Sequence, residues 1–190
     1  MKISRKFTKQ GQDPFASVQW VTRSSKIANP DGSVVFKMDN AEVPEGWSQL
    51  ATDIMVSKSF RRAGVPRRSA AEESAEGAGQ PGSSSAAERR GTQERGTQET
   101  GPENSARQVI HRLAGCWRHW GESNGYFDSA EDAPAFYDEI AYMMVHQMCA
   151  PNSPQWFNTG LNWAYGINGP AQGHWIVDHK TGEPRLAADA

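Results

Sequence analysis

Cysteine is scarce. Only Cys116 and Cys149 occur in 190 residues, far apart and outside any C-x-x-C pair, which argues against a disulfide framework or a zinc ribbon and leaves both as thiols. An excess of one charge is also missing: 20 Lys and Arg face 22 Asp and Glu, a formal charge of −2, so no polycationic surface exists for non-specific nucleic-acid binding. No stretch approaches the ~18 apolar residues of a membrane span, and the basic opening Met1–Phe7 has no apolar run behind it as a signal peptide would. A soluble, cytoplasmic protein without membrane contact is the expectation. The apolar share of 37% falls below the roughly 45–50% of ordinary globular chains, so part of the sequence is expected not to fold.

That deficit is concentrated in one place. From Arg61 to Asn104 the only large apolar residue is Val65, and aromatics are absent. Such a tract cannot bury enough surface to offset its ordering entropy, so residues 62–104 read as a disordered linker. Inside it, Arg90-Gly91-Thr92-Gln93-Glu94 is repeated as Arg95-Gly96-Thr97-Gln98-Glu99, too short a period for a solenoid. A docking tail for a partner is the less favoured alternative, because mixed-sign polar tracts are usually just solvated.

On either side the patterns are regular. Residues 18–23 and 33–38 are rich in β-branched and aromatic side chains, and Asn29-Pro30-Asp31-Gly32 between them is a turn signature, which predicts a β-hairpin. Leu50, Ala51, Ile54, Met55 and Lys58 recur at helical spacing behind Ser48, predicting one amphipathic helix over about 48–61. Ser105-Ala106-Arg107-Gln108 is a capping-box pattern, followed by Val109, Ile110, Leu113, Cys116, Trp117 and Trp120 on one face. A second helix is predicted from Ser129, with Ala133, Phe136, Tyr137, Ile140, Met143, Met144 and Met148 inward, ending before Pro151. Residues 105–150 should therefore form an αα-hairpin.

Candidate chemistry is weighed against packing. Cys116-x-x-His119 and His146-x-x-Cys149 supply a zinc-type donor set, but in an antiparallel hairpin the two pairs are offset by roughly 15 Å along the axes. No metal site is expected, and both cysteines read as small core residues. His111, His146, His174 and His179 follow no catalytic order. Trp20, Trp117, Trp120, Trp156 and Trp163 could stack bases, yet the basic groove of a single-strand binder is missing, so nucleic acid is not an expected partner.

The stretch Pro151-Asn152-Ser153-Pro154-Gln155-Trp156-Phe157-Asn158-Thr159-Gly160 fits no amphipathic period. It reads either as an ordinary connection or as a ligand-binding loop whose Asn and Ser side chains and free backbone N–H groups line a polar pocket floored by Trp156 and Phe157. Continued by Trp163-Ala164-Tyr165-Gly166-Ile167 and Gly169-Pro170-Ala171-Gln172-Gly173-His174, this stretch closely resembles the N-terminal region of the adenosylcobalamin-dependent (class II) ribonucleotide reductases. Phe7-Thr8-Lys9, Asn29 to Phe36, Val43-Pro44 with Trp47-Ser48-Gln49, and His111 to Trp117 resemble the family in the same order.

The resemblance implies an α+β architecture: an N-terminal strand and helix segment (1–61), the disordered linker (62–104), the helical hairpin (105–150), and the start of a truncated α/β barrel (151–190). It also implies the chemistry, reduction of ribonucleotides to deoxyribonucleotides by a thiyl radical that adenosylcobalamin initiates. The family's catalytic cysteines and carboxylate are expected beyond Ala190, so this chain is expected to hold no catalytic residue, to be inactive alone, and not to bind the cofactor by itself. Carried over by position, Ser153 is the one substrate-contact residue, its hydroxyl meeting the bound ribonucleotide. The missing downstream region, as a separate chain, is the implied partner. A stand-alone non-catalytic binding or regulatory module and a decayed fragment remain open alternatives.

Overall fold

The computed structural model describes residues 1–67, 99–169, 174–178 and 180–187. After a 3-10 turn at Pro14–Ser17, strands β1 (Trp20–Ala28) and β2 (Val34–Pro44) form an antiparallel hairpin. Its turn lies where the sequence predicts it: Gly32 has φ +84° and donates its N–H to the Asn29 carbonyl. The strands run beyond the predicted 18–23 and 33–38, because pairing continues past an irregularity between Arg23 and Ser25 that the alternation of side chains does not announce.

Helix α1 (Gln49–Ile54) runs into a π-helical turn at Met55–Ser59, so the predicted element exists but ends sooner and faces differently. Thr52, Met55, Val56 and Ser59 are buried, while Leu50 and Ile54, expected inward, are 70% and 55% exposed. The wider turn, closed by the Phe60 N–H on the Met55 carbonyl, rotates the following residues relative to a 3.6-residue period.

The linker expectation needs a correction at both ends. Val65–Pro66 (β3) pairs with Thr100–Gly101 (β4), Val65 is buried, and Glu103 is completely inaccessible. Residues 62–67 and 99–104 are therefore part of the fold, and residues 68–98, with the tandem repeat, lie outside the described residues.

Helix α2 (Ala106–Ser123) opens with the predicted capping box: Ser105 Oγ accepts from the Arg107 N–H and Gln108 Oε1 from the Ser105 N–H, both at 3.1 Å. Helix α3 (Asp132–Val145) follows the loop 124–131 and packs against α2. It starts three residues later than expected, since Ser129 forms a turn in which its N–H and hydroxyl both donate to Asp132 Oδ2. The predicted inner faces hold at Val109, Ile110, Leu113, Cys116, Ala133, Tyr137 and Met144, but Trp120 and Met148 are exposed.

The core joins β2, the π turn, α2 and α3 through Val43, Val56, Ile110 and Val145, with Trp47 Nε1 donating to the Val145 carbonyl at 2.8 Å. Residues 3–8 lie across α3, whose acidic side chains grip them. The Ile3 N–H donates to Asp132, Arg5 pairs with Asp138 at 2.6 Å, and Glu139 accepts from the N–H groups of Lys6, Phe7 and Thr8 and from the Thr8 hydroxyl.

Beyond residue 150 come two short helices, α4 (Ser153–Asn158) and α5 (Leu161–Tyr165), and a β5–β6 hairpin (Trp175–Val177, Pro184–Leu186). The stretch without amphipathic period is thus helical in part. No closed barrel is present among the described residues; their sheets are three separate antiparallel pairs. Nor is any described helix long and apolar enough to cross a membrane.

Candidate functional site

The segment 151–165 is held from beneath by a buried ion pair that the sequence reading missed. Arg112, on α2, is fully inaccessible, and so is its partner Glu103, at 2.8 Å from Nε to Oε1. Burying two charges costs several kcal/mol per ion, so each must be satisfied on all sides. Arg112 Nη1 donates to the Thr159 carbonyl at 2.8 Å, and Nη2 donates to the carbonyls of Trp156 at 2.7 Å and Ser59 at 3.0 Å. Glu103 accepts in addition from the Arg61 N–H at 2.7 Å and the Tyr165 hydroxyl at 2.8 Å. The pair therefore ties together the end of the π turn, the residue entering α2, and both α4 and α5. Removing one partner would strand the other charge, at a cost of about 3–5 kcal/mol.

A close backbone approach completes the support. Gly160, at φ +80°, sits so near α2 that a Cβ there would lie 2.1 Å from the Arg112 carbonyl oxygen. One turn on, Gly115 makes room for the Trp163 ring, which would be 2.1 Å from a Cβ. These glycines let α4 and α5 rest directly on the α2 backbone.

Ser153 is the first residue of α4 and is exposed. Asn152 caps the helix, its Oδ1 accepting from the Ser153 N–H at 2.9 Å, and its carbonyl accepts from the Gln155 N–H. Pro154 has no N–H. The Ser153 and Gln155 N–H groups, expected to be free, are thus engaged within the segment itself, which leaves the Ser153 side chain exposed. Trp156, expected as a pocket floor, is half-buried against the core, and Phe157 is 41% exposed.

The other candidate side chains are dispersed. Cys116 is buried beneath Gly160, and burial pushes its thiol up to about 11 against a weaker opposing contact with the Gly160 backbone. Burial also raises Cys149. Both are thiols at neutral pH, without the thiolate character that nucleophiles and metal ligands need. His119 is exposed, while His146 hydrogen-bonds Ser17 and packs on Tyr142. His111 lies against Tyr137 and Trp163. Among the described residues no three His, Cys, Asp or Glu side chains converge.

A fit for cobalamin can be tested on the cavities. One of about 410 Å³ opens between Phe7, Gln12, Pro14 and Tyr142. That is at the lower end of the roughly 300–1,000 Å³ that encloses a drug-sized ligand, and a corrin with its nucleotide loop is larger still. The residues lining this cavity do not fit that group.

Arg112 carried a signal that could have found it. It lies three residues after Val109 and four before Cys116 on the apolar stripe of α2, where a cation requires buried acceptors. Glu103 carried none, because it stands in the most polar part of the chain.

Comparison with known proteins gives the context of this arrangement. Residues 21–147 match the family described as class II vitamin B12-dependent ribonucleotide reductase. The vitamin B12-dependent ribonucleotide reductase of Bradyrhizobium diazoefficiens is 51% identical over 188 residues, covering 96% of this chain and 15% of that protein. Its counterpart from Agrobacterium fabrum is 49% identical over 183 residues, with 96% and 14% covered. The one from Rhodopirellula baltica is 35% identical over 187 residues, with 97% and 15% covered. This chain spans about 15% of the length of these relatives. A match over two thirds of the chain together with half-identical relatives leads to one conclusion: the chain belongs to the class II vitamin B12-dependent ribonucleotide reductase family, of which it represents an N-terminal region.

Proposed function

We propose that this chain is the N-terminal part of a ribonucleotide reductase that makes deoxyribonucleotides by adenosylcobalamin-initiated thiyl-radical chemistry, and that it is inactive until joined by the downstream region. The observation that carries this reading is the pairing of near-complete coverage of this chain with 15% coverage of the relatives. In this reading residues 1–67 and 99–150 form a support, and residues 151–190 lead toward a barrel that the downstream region completes. Ser153 contacts the ribonucleotide through its hydroxyl, a small donor and acceptor suited to a phosphate or ribose oxygen. Neither thiol of this chain serves the reaction, since Cys116 is packed under Gly160 and held protonated. The cofactor belongs to the downstream region in this reading, which the 15% coverage of the relatives by this chain supports. No nucleic-acid or membrane partner enters this reading, and the site of action is the cytoplasm.

The test is complementation. The chain alone, given nucleotide, adenosylcobalamin and a dithiol, should form no deoxynucleotide, and adding the downstream region should restore formation. Ser153→Ala should then raise KM by about tenfold, the loss of one or two hydrogen bonds, with kcat nearly unchanged. Turnover by the 190-residue chain alone would overturn the proposal.

A further inference from the structure

We propose that Arg112 is a positioning residue for Ser153: by holding the carbonyls at the end of α4 it fixes the helix whose first residue carries the substrate-contact hydroxyl. The inference rests on the reading of Ser153 given above. Helix α4 has six residues, none of them buried. A helix that short does not stand alone in water, and here its single apolar anchor is Trp156, only half-buried against the core, so the rest of its orientation is imposed by polar contacts from outside. Only its end is clamped. Arg112 donates to Trp156 and Thr159 at 2.7 and 2.8 Å, and Gly160 then drops onto the Arg112 carbonyl.

The geometry makes the end of α4 a fulcrum. Ser153 lies about 9 Å along the axis from Thr159 at ~1.5 Å per residue. A tilt of ~10° at the clamp therefore moves the hydroxyl by roughly 1.5 Å, and misplacements of ~1 Å are enough to impair a positioned contact. A guanidinium suits this role because its planar fork reaches Glu103 and three separate carbonyls at once, while a lysine ammonium concentrates its donors on one atom. Glu103 completes the clamp by holding Arg112 in place and binding Tyr165 on α5.

The experiment compares Arg112→Lys, Ser153→Ala and the double variant in the chain supplied with its downstream region. Arg112→Lys should raise the nucleotide KM by about tenfold with kcat within about twofold, and the double variant should be little worse than the worse single one, as expected for two changes acting on one contact. Glu103→Asp keeps the charge of the clamp while shortening its reach and should shift KM the same way by less; it takes the place of Arg112→Lys should that variant not fold. If Ser153→Ala raises KM while Arg112→Lys leaves it unchanged, or if the two effects multiply, the inference is overturned and the reading of Ser153 survives. If Ser153→Ala itself has no effect, that reading fails, and amide exchange in the 190-residue chain decides for Arg112. Faster exchange at 156–159 in Arg112→Lys, with α2 unchanged, upholds the clamp, and unchanged exchange there overturns it.

Discussion

Glu139 holds three backbone N–H groups and one hydroxyl on a single carboxylate. Burial alone would raise its pKa, but the Thr8 hydroxyl and the N–H groups of Lys6, Thr8 and Phe7 outweigh it and leave the group below its ordinary value. A carboxylate depressed in the folded state stabilises the fold above its unfolded pKa of ~4.3, and that contribution is lost as the pH falls through the folded value. Asp138 has the opposite sign, since burial raises it in spite of Arg5, and its protonation in acid favours the fold. Glu139→Gln should cost about 1–3 kcal/mol at pH 7, because the buried amide cannot accept all four donors. The gap from the parent should close as the pH falls below ~4. Urea midpoints measured from pH 7 to pH 3 check this, and two parallel curves would show that the charge of Glu139 is not what grips residues 6–8.

At the level of elements, the contact of α4 and α5 with α2 depends on two glycines of unequal tolerance. Gly160→Ala meets a backbone carbonyl and an unfavourable positive φ together, so it should cost roughly 2–4 kcal/mol. Gly115→Ala meets the Trp163 ring, which can turn away, so it should cost less. Thermal unfolding of both variants measures the order, and equal losses would mean that the α2 backbone yields as readily as an indole. The sequence made the hairpin turn at Asn29–Gly32, the capping box at Ser105 and the two long helices legible, because local chemistry decides each of them. It did not reveal which face of α1 is inward, since the π turn changes the period. The clamp under Ser153 was hidden for a different reason: Glu103 and Arg112 make a pair only after the chain between Arg61 and Glu103 has closed on itself. Likeness to a family singled out Ser153 as a candidate, whereas nothing in the sequence announced that Asn152 engages the neighbouring N–H groups.

For the whole molecule, that closure brings together the two stretches of chain that flank residues 68–98. The Arg67 N–H donates to the Glu99 carbonyl at 2.8 Å, and β3 and β4 stand in register behind it, so the ends of the 68–98 segment are already side by side. Replacing residues 68–98 by an Asn-Gly turn should keep the fold and raise its stability by up to ~2 kcal/mol, because a shorter loop costs less entropy to close. A lower unfolding temperature would instead show that the replaced segment contributes contacts. The strap at residues 3–8 has a consequence for how the protein is made. Its partners on α3 lie 129 to 133 residues further along, so the strap is made well before the helix that holds it. Until α3 has been synthesised, the strap has nothing to bind, and at roughly 5–20 residues per second that interval lasts several seconds or more. Over that time Phe7 and its neighbours are open to chaperones and proteases, and the strap is seated only when the helical hairpin is complete.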